Sequence, residues 1–268
     1  MISSIKYTKG HGTRNDFVII EDFDDKIQLT EGQIKQICNR QNGIGADGIL
    51  KVVKNSNEYF MDYRNADGSI AEMCGNGARV FAQYLFTKGL IKNTEFTFLT
   101  RAGLVVAIIH KPGDISVTMD EAKLRGKSVE VSVNGHKFSA QAVDAPNPHA
   151  VAFVPDLVSI GDLKNTPAVT PSDVFPTGVN VEFVKKITDN HVAIRVHERG
   201  SGETLSCGTG ACAVAAVIRE QSGKKINEVV IDLPGGTLII NFSDGKMIMR
   251  GPVVLEHDGT LPEKWFAN

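Results

Sequence analysis

Cys74-Gly75-Asn76-Gly77-Ala78 recurs further along the chain as Cys207-Gly208-Thr209-Gly210-Ala211. Each copy opens a helix-like segment, Ala78–Lys88 in the first case and Ala211–Ser222 in the second, and each segment stops at a glycine, Gly89 or Gly223. A glycine just past the last periodic residue is a common helix stop, because it takes the left-handed conformation without strain. The likeness extends upstream. Nine residues before the cysteines stand Asn65 and Glu198, closing the strand-like runs Tyr59–Arg64 and Val192–His197. Further back, Asn15 precedes Phe17–Ile20 and lies 59 residues before Cys74, while Asn147 precedes Ala150–Val154 and lies 60 residues before Cys207. Four matched landmarks at matched offsets predict two homologous domains related by a pseudo-two-fold axis.

Between these landmarks the chain reads mostly as strands: Glu95–Thr100, Gly103–His110, Ile115–Met119, Glu228–Asp232, Thr237–Phe242 and Lys246–Gly251, broken by Gly, Pro, Asn and Asp turns. Helices are fewer. Thr30–Arg40 carries Thr30 as a cap, and the two segments after the cysteines are apolar on every side, as buried helices are. The expected fold is α+β. Each of two pseudo-symmetric domains is a curved mixed β-sheet wrapped around a central helix that carries a cysteine at its start, with the active site in the cleft between them. The domains are expected at 1–118, completed by a C-terminal strand at 254–268, and at 119–253.

A cysteine at a helix start has its thiolate favoured by the dipole and by unpaired N–H groups. The glycines after it let a ligand approach the backbone, and the N–H groups there bind an anion such as a carboxylate. Two such turns converging on one small molecule suit a specific reaction. Inverting an amino-acid α-carbon requires taking a proton from one face and delivering one to the other, and a thiol with an ordinary pKa of about 8.5 can do either. Backbone donors at both helix starts would stabilise the charge gained by the α-carboxylate, replacing the electron sink of a pyridoxal cofactor, for which no motif calls.

Composition excludes several other classes. The 268 residues are 42% hydrophobic and 22% charged, as in a globular protein, and 29 Lys plus Arg nearly balance 31 Asp plus Glu. The longest basic cluster is Lys224–Lys225, so nothing resembles the basic stripe of a nucleic-acid binder. Met1–Gly12 lacks the apolar core of a signal peptide, and the aliphatic run Leu104–Ile109 is too short to span a bilayer. A cytoplasmic enzyme without membrane contact is expected. Four cysteines without C-x-x-C pairing argue against a disulfide scaffold or structural zinc, and no metal site is expected. Cys38 and Cys212, set among aliphatic residues, read as small buried hydrophobes.

Taken together, Gly10–Phe17, Gly43–Gly48, Asn65–Ser69, Met73–Arg79, Asn147-Pro148-His149, Gly178–Asn180, His197–Thr204, Ser206–Cys212 and Asp232–Gly236 resemble the diaminopimelate epimerases, in the family's order and over residues 10 to 236. The resemblance implies conversion of LL-2,6-diaminoheptanedioate to the meso isomer, in lysine and peptidoglycan precursor biosynthesis, with no cofactor. It implies Cys74 as proton donor and Cys207 as proton acceptor, with His149 and Glu198 tuning the thiols. Gly75, Asn76, Gly208 and Thr209 would hold the reacting carboxylate. Asn15, Asn65, Asn147, Asn180, Glu198 and Arg199 would contact the substrate, several of them at its distal end, where the planar fork of Arg199 suits a carboxylate. The expected partner is a small amino-acid substrate, and the chain is compatible with a homodimer. One departure stands out: some relatives carry a substrate-contacting glutamine where this chain has Gly48.

Two rival readings have their own signatures. Proline racemases and hydroxyproline epimerases carry histidine two residues after the first cysteine, where this chain has Asn76, and have no distal carboxylate to occupy Arg199. A redox protein would use Cys74 and Cys207 as a switchable disulfide.

Overall fold

The computed structural model describes residues 4–110, 113–243 and 245–266. Two compact units divide the chain, one formed by residues 1–117 with 251–268 and the other by residues 118–250.

The first unit contains β1 (Lys6–Gly12), β2 (Asn15–Glu21), α1 (Glu31–Cys38), β3 (Gly48–Asn55), β4 (Glu58–Asn65), α2 (Gly75–Thr87), β5 (Glu95–Thr100), β6 (Gly103–Ile109) and most of β7 (Asp114–Met119). The second contains β8 (Lys123–Val133), β9 (His136–Ala145), β10 (Asn147–Phe153), β11 (Ala168–Thr170), β12 (Asn180–Lys186), β13 (His191–Glu198), β14 (Gly202–Thr204), α3 (Gly208–Gln221), β15 (Glu228–Leu233), β16 (Gly236–Ser243) and the first part of β17 (Lys246–Thr260). The later part of β17 pairs antiparallel with β1 and so completes the first unit. The chain is strand only to Thr260 and then turns through a short 3-10 segment, Glu263–Trp265, so the expected C-terminal strand is shorter than 254–268; residues 267–268 lie outside the described residues.

Strand pairing repeats between the units. In the first, β1–β2 is antiparallel, β2–β3 parallel, β3–β4 antiparallel, β4–β5 parallel and β5–β6 antiparallel. In the second, β9–β10, β10–β12, β12–β13, β13–β15 and β15–β16 follow the same alternation. Helix α2 packs against β1, β2, β3, β4 and β6, and α3 against β8, β9, β10, β12, β15 and β16. A flat sheet presents only two or three strands to one helix, so contact with this many means that each sheet curls around its helix.

Sequence accounts for the helices. Thr30 accepts the Gln33 N–H while the Gln33 side chain accepts the Thr30 N–H, a reciprocal cap, and Ile34, Ile37 and Cys38 form the buried stripe of α1. Both central helices end in the same way. Gly89 and Gly223, at positive φ, send their N–H groups back to Phe86 and Glu220, and the next residues donate to Leu85 and Arg219. The central parallel strands are buried on both faces. Phe17 and Leu50 face α2, while Val18, Ile20 and Ile49 pack with Ile34 and Ile37 of α1. In the second unit Ile160, Leu163 and Phe175 cover the outer face instead, against Ala150, Ala152, Val181 and Phe183.

Candidate active site

Cys74 sits in extended backbone (φ −139°, ψ 119°) immediately before α2, and its sulfur accepts the Gly77 N–H at 3.4 Å. Its thiol faces Asn15 Oδ1 at 3.5 Å, and Asn76 Nδ2 donates to the same oxygen at 3.4 Å. The Asn15 amide is oriented from behind. Its Nδ2 donates to Asp47 Oδ2 at 2.7 Å, and a carboxylate can only accept, so the carbonyl end must face the thiol. Asp47 is in turn held by Arg40, whose guanidinium also clasps Asp16 through two nitrogens at 2.8 and 3.0 Å. Burial alone would raise the Asp16 carboxyl, but Arg40 and the buried Lys9 hold it well below the usual carboxylate range. The fully buried Arg79 donates to Thr13 Oγ1 and the Gly75 carbonyl, bracing the turn in front of α2.

Cys207 occupies the matching place before α3 (φ −124°, ψ 112°), with its sulfur 3.3 Å from the Gly210 nitrogen and 3.4 Å from Thr209 Oγ1. Its surroundings are different. Burial pushes the thiol well above its ordinary value, and the charges of Glu198 and Glu182 push it further. Glu198 accepts from the Thr204 hydroxyl; burial raises its carboxyl, and the neighbouring Glu182 adds to the effect. His149 and Glu182 are both fully buried, with Nδ1 2.7 Å from Glu182 Oε1 and Nε2 2.9 Å from Asn147 Oδ1. No side chain fits at Gly210, since a Cβ there would lie 2.7 Å from Glu182 Oε1 and 3.3 Å from Cys207 Sγ.

Each unit thus gathers its own set of expected residues: Cys74, Gly75, Asn76 and Asn15 in the first, and Cys207, Gly208, Thr209, Glu198, His149 and Asn147 in the second. Asn180 accepts the Arg199 N–H at 2.8 Å, while the exposed Arg199 side chain uses Nη1 on the Thr177 carbonyl and hydroxyl. Asn65 bonds to Ser69 across its own loop. Cys38 and Cys212 are buried, and burial takes Cys38 up to about 12. Gly48 has the Arg64 carbonyl 2.5 Å from where its Cβ would be, so no longer side chain fits that wall. Sequence reading passed over Asp47 and Glu182. Glu182 had a visible signal, as the lone charge in the otherwise apolar run Val181–Val184, all of it buried. Among the described residues there is no cluster of metal-binding side chains and no helix long and apolar enough to cross a membrane.

Solved structures with the same architecture include a hydroxyproline epimerase from Agrobacterium vitis (TM-score 0.71, 13% identity, covering 96% of this chain and 92% of that one) and a probable proline racemase from Agrobacterium radiobacter (TM-score 0.69, 15% identity, 96% and 93%). At these identities the likeness concerns the fold alone. Sequence relatives say more. The diaminopimelate epimerase of Streptomyces coelicolor is 45% identical over 283 residues, covering 99% of this chain and 98% of its own. That of Rhodococcus erythropolis is 39% identical over 292 residues, covering 100% and 99%. The family model for diaminopimelate epimerase matches residues 7–125 and 141–256. By near-complete coverage on both sides and a match in each repeat, the chain belongs to the diaminopimelate epimerase family.

Proposed function

We propose that the chain takes the α-proton of LL-2,6-diaminoheptanedioate from one face and returns a proton to the other, giving the meso isomer, with Cys74 and Cys207 as the acid/base pair and no organic cofactor. The observation that carries this reading is the duplicated device: a cysteine capping a buried helix, its sulfur on the third N–H, followed by glycines. Helix geometry leaves the first N–H groups without an intrahelical acceptor, so Gly75, Asn76, Gly208 and Thr209 are suited to hold the α-carboxylate and the charge it gains.

The roles of the two thiols follow from their neighbours. Cys74, with its S–H directed to the Asn15 carbonyl, is the donor in the LL-to-meso direction. Burial and the two nearby carboxylates disfavour the Cys207 thiolate, so its role as acceptor requires a base for its own proton. Glu198, whose charge bears on that thiol and whose own carboxyl is raised by burial, is the base. Arg199 spends Nη1 on Thr177 and keeps the rest of its fork for the distal carboxylate, while Asn65, Asn147 and Asn180 supply polar contacts to the substrate. The substrate is a free amino acid rather than a nucleic acid or a membrane component, the setting is cytoplasmic, and a homodimer is compatible with this use.

Proton NMR of LL-diaminopimelate with the protein in heavy water tests the reading, through loss of one α-proton signal as deuterium enters. Cys74→Ala and Cys207→Ala should each slow this by about 10²–10⁴-fold, because both groups act in every turnover. Retention of more than about a tenth of the rate in either variant, a loss under ~1.4 kcal/mol, would overturn the two-thiol assignment.

A further inference from the structure

The internal repeat allows the two units to be compared position by position. In the parallel pair β2–β3, Phe17 lies opposite Gly48 and Ile19 opposite Leu50. In β10–β12, His149 lies opposite Asn180 and Val151 opposite Glu182. Phe17 therefore corresponds to His149, and Leu50 to Glu182. Both pairs face the start of the central helix. A Cβ on Gly77 would meet Leu50 at 3.3 Å and Phe17 at 3.4 Å, and one on the matching Gly210 meets Glu182 Oε1. Where the first unit has hydrocarbon, the second has a fully buried histidine and carboxylate, and Glu182 Oε2 has no hydrogen-bond partner. Burying such a pair costs several kcal/mol per ion. The first unit builds the same architecture without one.

The geometry identifies what the pair does. With an ionised Glu182 on Nδ1 and the Asn147 carbonyl on Nε2, both ring nitrogens of His149 face acceptors, which only the imidazolium satisfies. The Asn147 carbonyl is thereby engaged, and its NH2 is the end left for a ligand. Its counterpart Asn15 is held the opposite way, with NH2 on Asp47 and the carbonyl on the Cys74 thiol. The other titratable groups beside the pair are Glu198 and Cys207.

We infer that Glu182 is a positioning residue: it keeps His149 doubly protonated, and His149 holds the Asn147 amide with its NH2 directed at the substrate. This rests on the reading that Asn147 contacts substrate. Without the counter-charge the ring carries a single proton; when that proton sits on Nδ1, Nε2 is an acceptor and the amide rotates to present oxygen to an anionic ligand.

The test uses the full chain labelled with 15N-histidine. In the wild type at neutral pH the ring of His149 should carry two protonated nitrogens, whereas in Glu182→Gln it should carry one, with KM for LL-diaminopimelate raised about tenfold and kcat changed less. A second variant, His149→Phe with Glu182→Leu, copies the pair used by the first unit. It should melt no lower than the wild type, since apolar replacement of buried ion pairs is often neutral or stabilising, yet lose at least tenfold in kcat/KM. A wild-type ring with a single protonated nitrogen, or a double variant with kcat/KM within about threefold of the wild type, would overturn the inference. The ring signal needs no turnover, so failure of the two-thiol reading would appear separately, as absent α-proton exchange in the wild type.

Discussion

Alanine at the third residue of each central helix should have opposite consequences in the two units. Both glycines occupy ordinary helical backbone, where alanine gains about 1 kcal/mol over glycine. At Gly77 the new methyl meets the ends of Leu50 and Phe17 at 3.3–3.4 Å, a tightening of a few tenths of an ångström that side chains absorb. Gly77→Ala should stay within about 1 kcal/mol of the wild type. At Gly210 the methyl would lie 2.7 Å from Glu182 Oε1, which cannot retreat without leaving His149. Overpacking costs about 1–3 kcal/mol and a lost charged hydrogen bond about 1.5–3. After the alanine gain, Gly210→Ala should lose about 1.5–5 kcal/mol, a fall in Tm of roughly 3–20 °C. The same methyl presses on the Cys207 sulfur, and displacing a reacting group by an ångström can cost about 10²-fold, so kcat should fall with stability. Thermal melts and α-proton exchange of the two variants, run side by side, measure both effects. Equal melting temperatures for the pair would refute the reasoning.

Arg199→Lys should raise KM strongly and lower kcat, because a point charge does not reproduce bidentate carboxylate recognition; unchanged steady-state kinetics would place Arg199 outside the pocket. Asp47→Asn removes the acceptor that orients Asn15 and should lower kcat about tenfold, or ~1.4 kcal/mol, in the exchange assay, with no effect expected if the amide is held by other contacts. Alkylation follows the thiolate fraction, so Cys207, raised well above 9, and Cys38, raised to about 12, should react with iodoacetamide far more slowly at pH 8 than the half-exposed Cys74. Because a raised pKa means the thiolate appears only above the ordinary range, Cys207 labelling should accelerate past pH 9. Mass spectrometry of digests would show it, and equal labelling at pH 8 would contradict the buried placement.

What the sequence revealed was what the duplication wrote twice. The cysteines, the helices behind them, their glycine stops and the matched asparagines are local patterns, and each copy supports the other. What it concealed was where the copies diverge. Glu182 reads as one polar residue in an apolar strand until the parallel register sets it opposite Val151 and behind Gly210. Asp47 was visible only as part of a family motif, because its work, orienting Asn15, spans 32 residues of chain. The separate coverings of the outer faces, α1 in one unit and the loop with Ile160, Leu163 and Phe175 in the other, also share no sequence pattern. Packing there demands only apolar volume, which many sequences supply.

The route of β17 has a consequence for how the protein is made. Its last ten residues belong to the unit that the N-terminus begins, and they supply the partner of β1. The segment that forms the other unit is entirely contained between them, so it can fold while synthesis continues. The N-terminal unit, although translated first, is completed last. At about 5–20 residues per second, the interval between Val117 and the strand that closes its sheet is on the order of ten seconds. Throughout that time β1 has an open edge, with backbone donors and acceptors available to any extended chain nearby. A truncation that removes residues 251–268 would therefore spare the unit formed by residues 118–250 and leave the other permanently unfinished.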